Sequence, residues 1–294
     1  MSDDRFTINL HEFVKEETRR AKQILTTHDM LAAPGTIDIQ RLAHRVRSYE
    51  ERSSILRSVF AAGTYWSRPD TIKLWGECFA GIAFSEHNGG GGAAWLKLRS
   101  YPALLLKYAV GISAVLSNNY TAFSDICNRR MLGRYAGGEE VGLGLHGSEI
   151  IDHARANEMQ NLTSGTQTKF HTPLSEYLFD VLRPDFDDMI ISEEEYKRAF
   201  DKFEYLAGLV HLDLRIKNNP EIWIWLPVGA YRWRSWGRYD YHVAEEVGQE
   251  VARNGTNWPP LQASLFGGDL ARLESVIKKA NDWLTSDNFA SWSF

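Results

Sequence analysis

The chain has 294 residues, 44% of them apolar and 24% charged, enough for one large domain or two ordinary ones with a substantial core. An aromatic share of 12%, ten Trp included, excludes a disordered or low-complexity chain. The net charge of −5 sets up no basic field for nucleic acid or an anionic membrane.

Two cysteines, Cys78 and Cys127, are too few for a disulfide framework or a four-thiolate zinc site, which fits a cytoplasmic setting. The opening MSDDRFTINLHEF lacks the basic and apolar regions of a secretion signal. Leu10, Phe13, Val14, Ala21, Ile24 and Leu25 then recur at helical steps and predict a first amphipathic helix, stopped by Pro34-Gly35. A second helix is expected from Asp38, with Leu42, Val46, Tyr49, Leu56 and Phe60 on its inner face and Gly63 as its stop. Ser67 to Asp70 reads as the entrance to a third, carrying Ile72, Trp75, Cys78, Phe79 and Ile82.

His87-Asn88 and four glycines follow, without the Lys-Ser or Lys-Thr pair that closes a phosphate loop, so 87–92 reads as an exposed contact loop. The stretch 101–117, YPALLLKYAVGISAVLS, is apolar on nearly every side. It is short of the roughly 20 residues that span a bilayer and carries Lys107. It is expected to be the buried central helix of a bundle, with no membrane contact, and Tyr120 to Leu132 a further helix. Residues 133–147, rich in glycine, mark a connector.

These features divide the chain into an N-terminal helical subdomain (1–132), a Gly-rich connector with a short helix from Ser148 to Met159 (133–169), and a C-terminal helical subdomain (170–294). In the last, Ser192 caps a helix through Tyr196, Phe200, Phe203, Ala207, Val210 and Leu214, on which His211 sits as a core or boundary residue. Ile222 to Trp225 is strand-like, a helix ends at Gly255, and Asp269 caps the final one. The expected fold is therefore mainly α, a multi-helix bundle with one short strand pair or hairpin around 221–234.

Reactive centres are hard to find in this sequence. His146, Glu149 and His153 could share a helix face and offer metal ligands to a divergent hydrolase, yet HGSEIIDH matches neither orientation of the zinc-protease motif. Gly142-Leu143-Gly144 lacks the third glycine of a dinucleotide site, and no cofactor is expected. The most unusual run is 231–242, where Arg232, Arg234 and Arg238 alternate with Tyr231, Trp233, Trp236, Tyr239 and Tyr241. Guanidinium groups beside aromatic faces suit a protein contact, a single-stranded nucleic acid or nucleotide, or simple packing. The partner-binding candidates are Tyr231, Arg232, Trp233, Arg234, Trp236, Arg238 and Tyr239.

The order R-V-R-S-Y-E (45–50), A-A-G-T-Y-W (61–66), L-R-S-Y-P-A-L-L-L-K-Y-A-V-G-I (98–112), F-E-Y-L-A-G-L-V-H-L-D-L-R (203–215), W-L-P-V-G-A-Y-R-W-R (225–234) and W-P-P-L-Q-A-S-L-F-G-G (258–268) resembles a helical region of bacterial multidomain proteins. There it follows a SIR2-like, TIR-like or AlbA-type ATP-binding module, and many of these proteins resemble anti-phage defence factors. The resemblance covers most of the chain through structural motifs and implies a non-enzymatic sensing, regulatory or oligomerising part. It supplies no catalytic residue. Since no effector domain precedes residue 8, the implied partners are an effector protein or domain, a phage protein as trigger, and further copies of the chain.

Overall fold

A computed structural model describes residues 2–26, 38–66, 71–83, 92–132, 140–142, 147–218, 229–234 and 242–285. The fold is mainly α-helical. In the first half α1 (Ser2–Thr26), α2 (Ile39–Tyr65), α3 (Ile72–Ala83), α4 (Ala93–Leu98), α5 (Tyr101–Ser117) and α6 (Thr121–Asn128) follow one another. Asp38 starts α2 by accepting a hydrogen bond from the Gln40 N–H at 3.3 Å. The expected inner face of α2, Leu42, Val46, Tyr49, Leu56 and Phe60, is buried throughout.

Helix α5 is the centre of the bundle, packing on α2, α3, α6 and the long helix α10 (Glu193–Asn218) of the second half. Every residue from Tyr101 to Ala114 is buried, as all-round apolarity requires. The most apolar window of the Ala93–Ser117 stretch is 78% covered by protein, which marks a core helix. At the α5–α10 crossing a Cβ on Gly111 would lie 2.0 Å from the Phe203 ring, so glycine is what lets the two helices close.

Several expectations need correcting. Gly63 does not end α2, which runs two residues further; it is glycine because Trp75 of α3 packs against its backbone, 2.3 Å from where a Cβ would stand. Phe13 is 45% exposed, so the inner stripe of α1 is carried by Val14, Ala21 and Leu25. Residues 120–132 are not one helix: α6 stops at Asn128, and β1 (Arg130–Leu132) pairs antiparallel with β2 (Glu140–Gly142), Met131 opposite Val141. The expected helix at 148–159 is two, α7 (Gly147–Ile150) and α8 (His153–Ser164), because Asp152 caps the second through the Arg155 N–H at 3.1 Å.

The second half continues with α9 (Pro173–Leu182), a 3₁₀ turn at Arg183–Phe186, then α10, whose Glu195 N–H is bonded by the capping Ser192 hydroxyl at 3.3 Å. After it come α11 (Tyr231–Arg234), α12 (Val243–Asn254), α13 (Pro259–Gln262) and α14 (Leu270–Thr285). Gly255, at φ +54°, terminates α12, and Asp269 accepts from the Ala271 and Arg272 N–H groups to begin α14. Of the strand pair expected around 221–234, residues 221–228 lie outside the described residues. Residues 231–234 form a helical turn instead of a strand.

Buried side chains from Val14 to Ala280 make one continuous cluster, so the expected N- and C-terminal subdomains share a core. Two polar clusters, one buried at Arg57 and one part-buried at Glu50, tie α2 to the second half. Arg57 Nε donates to Asp185 at 2.7 Å, supported by Ser58 at 3.0 Å. Glu50 accepts from the Tyr101 hydroxyl at 2.7 Å and the Tyr177 hydroxyl at 3.1 Å.

Candidate functional site

The one stretch singled out by its Arg-aromatic composition begins at a tightly held point. Glu204 of α10 is buried; it accepts the Tyr108 hydroxyl at 2.9 Å and the Ser175 hydroxyl at 2.7 Å. The same Ser175 oxygen accepts the Ala230 N–H at 2.9 Å. Gly229 crosses so close to this carboxylate that a Cβ there would meet Glu204 Oε2 at 1.7 Å. The backbone entering α11 is therefore fastened to the core by a buried acid.

That placement decides which candidates can face a partner. Tyr231 is buried, its ring edge-on to Tyr205 at 5.9 Å between centroids, and belongs to the core. It is thus not an exposed contact residue. Arg232 is half-buried, and its guanidinium donates to the Leu284 carbonyl at 3.4 Å. Burial lowers its pKa from the ordinary arginine value, with the Tyr231 hydroxyl acting in the opposite direction. Trp233 and Arg234 complete the helical turn, but their side chains lie outside the described residues, as do Trp236, Arg238 and Tyr239.

Arg232 stands at the head of a groove. Helices α12 and α14 both rest on α10. The space between them holds about 520 Å³ near Tyr231, Arg232 and Leu284. A further 460 Å³ follows beside Val251, Ala252, Ile277 and Lys278, and the two sections share Gly248 and Asn281. Ala244, Gly248 and Ala252 are spaced four apart on α12, so the groove wall on that side is made of small residues. A Cβ on Gly248 would touch nothing within 4 Å. Charges of both signs edge the groove, Arg232 and Lys278 against Glu245, Glu274 and Asp282. Such a trough suits an apolar segment with a mixed polar rim. Sequence reading missed it, although the Ala-Gly-Ala spacing was a visible signal.

The other candidates fare differently. Residues 84–91, most of the glycine loop at 87–92, lie outside the described residues, as does His146. Glu149 and His153 fall on separate helices, not on one face, and His153 Nε2 lies 3.1 Å from the His171 carbonyl. Among the described residues no group of three or more His, Cys, Asp or Glu is placed to hold a metal. Both cysteines are buried free thiols; burial raises the pKa of Cys78 and pushes that of Cys127 up to about 11, which suppresses the thiolate form. His211 is buried on α10.

Comparison with protein-family models, curated proteins and solved structures finds no match to this chain.

Proposed function

We propose that this chain is a non-enzymatic regulatory or protein-interaction module of a bacterial anti-phage defence system, acting in the cytoplasm through a partner or effector. The observation that carries this reading is the groove between α12 and α14, an apolar trough with a mixed-charge rim, headed by the half-buried Arg232. The resemblance of six sequence blocks to regions that follow effector modules supports the defence setting, and the two buried free thiols support a reducing compartment. The alternative, a single-stranded nucleic-acid or nucleotide binder using 231–242, has less support because Tyr231 is committed to the core and cannot stack on a base.

The test uses the space beside Gly248. Gly248→Trp fills the groove from a helical position where an added Cβ has no atom within 4 Å. Co-purification from the native host, with the proteins encoded beside it, is expected to recover a partner with the wild type and lose it with Gly248→Trp, at unchanged unfolding temperature. Equal recovery by both proteins would remove the groove from the interaction. A wild type that turns over a nucleotide or cuts a polymer on its own would end the non-enzymatic reading.

A further inference from the structure

A second group of unusual chemistry lies away from the groove. Arg41, Arg45 and Tyr49 occupy successive i, i+4 positions of α2 and so share one face. Trp95 of α4 meets that face: the Arg45 guanidinium carbon is 4.3 Å from its ring centroid and that of Arg41 is 5.7 Å away. Arg99, the residue that closes α4, joins them, since its charge acts on both Arg45 and Tyr49. Arg45, Tyr49 and Arg99 are 2%, 0% and 6% exposed, while Arg41 is exposed at the rim.

Stacking on Trp95 gives Arg41 and Arg45 a favourable surface. It leaves Arg99 and Tyr49 unexplained. Among the described residues the buried Arg99 Nε and the Tyr49 hydroxyl have no hydrogen-bond partner. Orphaned buried donors are costly, and natural proteins keep them where something completes them. The lowered pKa of Arg45 reflects burial first; the Tyr49 hydroxyl opposes it, and the charges of Arg41 and Arg99 add to it. An anion would repair this, supplying acceptor atoms for the idle Arg99 N–H and Tyr49 O–H beside the guanidinium groups.

We propose that Arg41, Arg45, Arg99 and Tyr49 form a binding site for a phosphate-bearing small molecule. A phosphoryl group carries about two negative charges and three acceptor oxygens, which matches several guanidinium forks and a phenol better than a single carboxylate does. Arg41 receives it at the surface, and Arg99 with Tyr49 holds it below. The site is independent of the groove and would give a regulatory module a small molecule to sense.

The experiment is calorimetric titration and thermal unfolding of the full chain with inorganic phosphate and, separately, adenosine monophosphate, against chloride at equal ionic strength. Saturable binding and a raised unfolding temperature are expected with phosphate. Arg99→Gln and Tyr49→Phe should each weaken it about tenfold or more, and Arg41→Gln by a smaller factor. Without anion, Tyr49→Phe should unfold no earlier than wild type, because it deletes only an unpaired hydroxyl. Arg41→Gln, at an exposed position, keeps the test valid if Arg99→Gln does not fold. Tighter binding of the nucleotide points to a larger phosphate ester, and equal binding to free phosphate; both support the site. No saturable binding of either probe, a chloride effect equal to that of phosphate, or unchanged affinity in Arg41→Gln and Tyr49→Phe would overturn it.

Discussion

The Ser175 hydroxyl donates to the buried Glu204 carboxylate at 2.7 Å while accepting the Ala230 N–H, so one oxygen joins α9, α10 and the entry to α11. Removing it leaves an N–H and a carboxylate in the interior each short of a partner. Ser175→Ala should cost about 1–3 kcal/mol in denaturant unfolding. It should also speed hydrogen exchange at Ala230 more than at the centre of α5. An Ala230 amide that exchanges no faster would mean that Gly229 packing alone holds this backbone.

Two glycines on helices have opposite reasons to be there. Alanine favours a helix interior by about 1 kcal/mol over glycine. At Gly111 the added methyl would enter the Phe203 ring, and overpacking of about 1–3 kcal/mol outweighs that gain. At Gly248 nothing stands within 4 Å, so only the propensity gain remains. Thermal unfolding should therefore show Gly111→Ala less stable than wild type and Gly248→Ala more stable by about 0.5–1 kcal/mol. If Gly111→Ala is neutral, the α5–α10 contact is looser than the structure shows.

Glu50 links acidity to stability. Burial raises its pKa above 4.5, opposed by the hydrogen bonds from Tyr101 and Tyr177 and the charges of Arg57 and Arg47. The folded chain then holds that proton more tightly than the unfolded one. Its contribution to stability is fully present below pH 4.5 and is lost as pH rises through the raised folded value. Asp185, raised from 3.8 chiefly by burial against the pull of Arg57, acts in the same direction. Glu50→Gln removes only the first contribution. Its stability relative to wild type should improve as pH climbs above 4.5, measured by urea unfolding at a series of pH values, and a wild type that gains on the variant instead would reverse the sign.

What was legible and what was not follows from the range of the forces involved. Periodicity, caps and breakers act within a few residues, so α2 with its Asp38 cap, the all-round apolar α5, the Ser192-capped α10 and the Asp269-capped α14 could all be read along the chain. The same local view read Gly63 as a stop and Tyr231 as an exposed contact, because a glycine needed for close packing and one that ends a helix look alike in sequence. Trp75 against Gly63, Glu204 beneath Gly229, the trough between α12 and α14, and Arg99 beside Arg45 and Tyr49 join residues far apart in the chain or on different helices. Short-range chemistry thus set the helices and the apolar core. Which polar groups ended up buried, paired or waiting for a partner was settled only when the helices packed, since that depends on distances no linear pattern encodes.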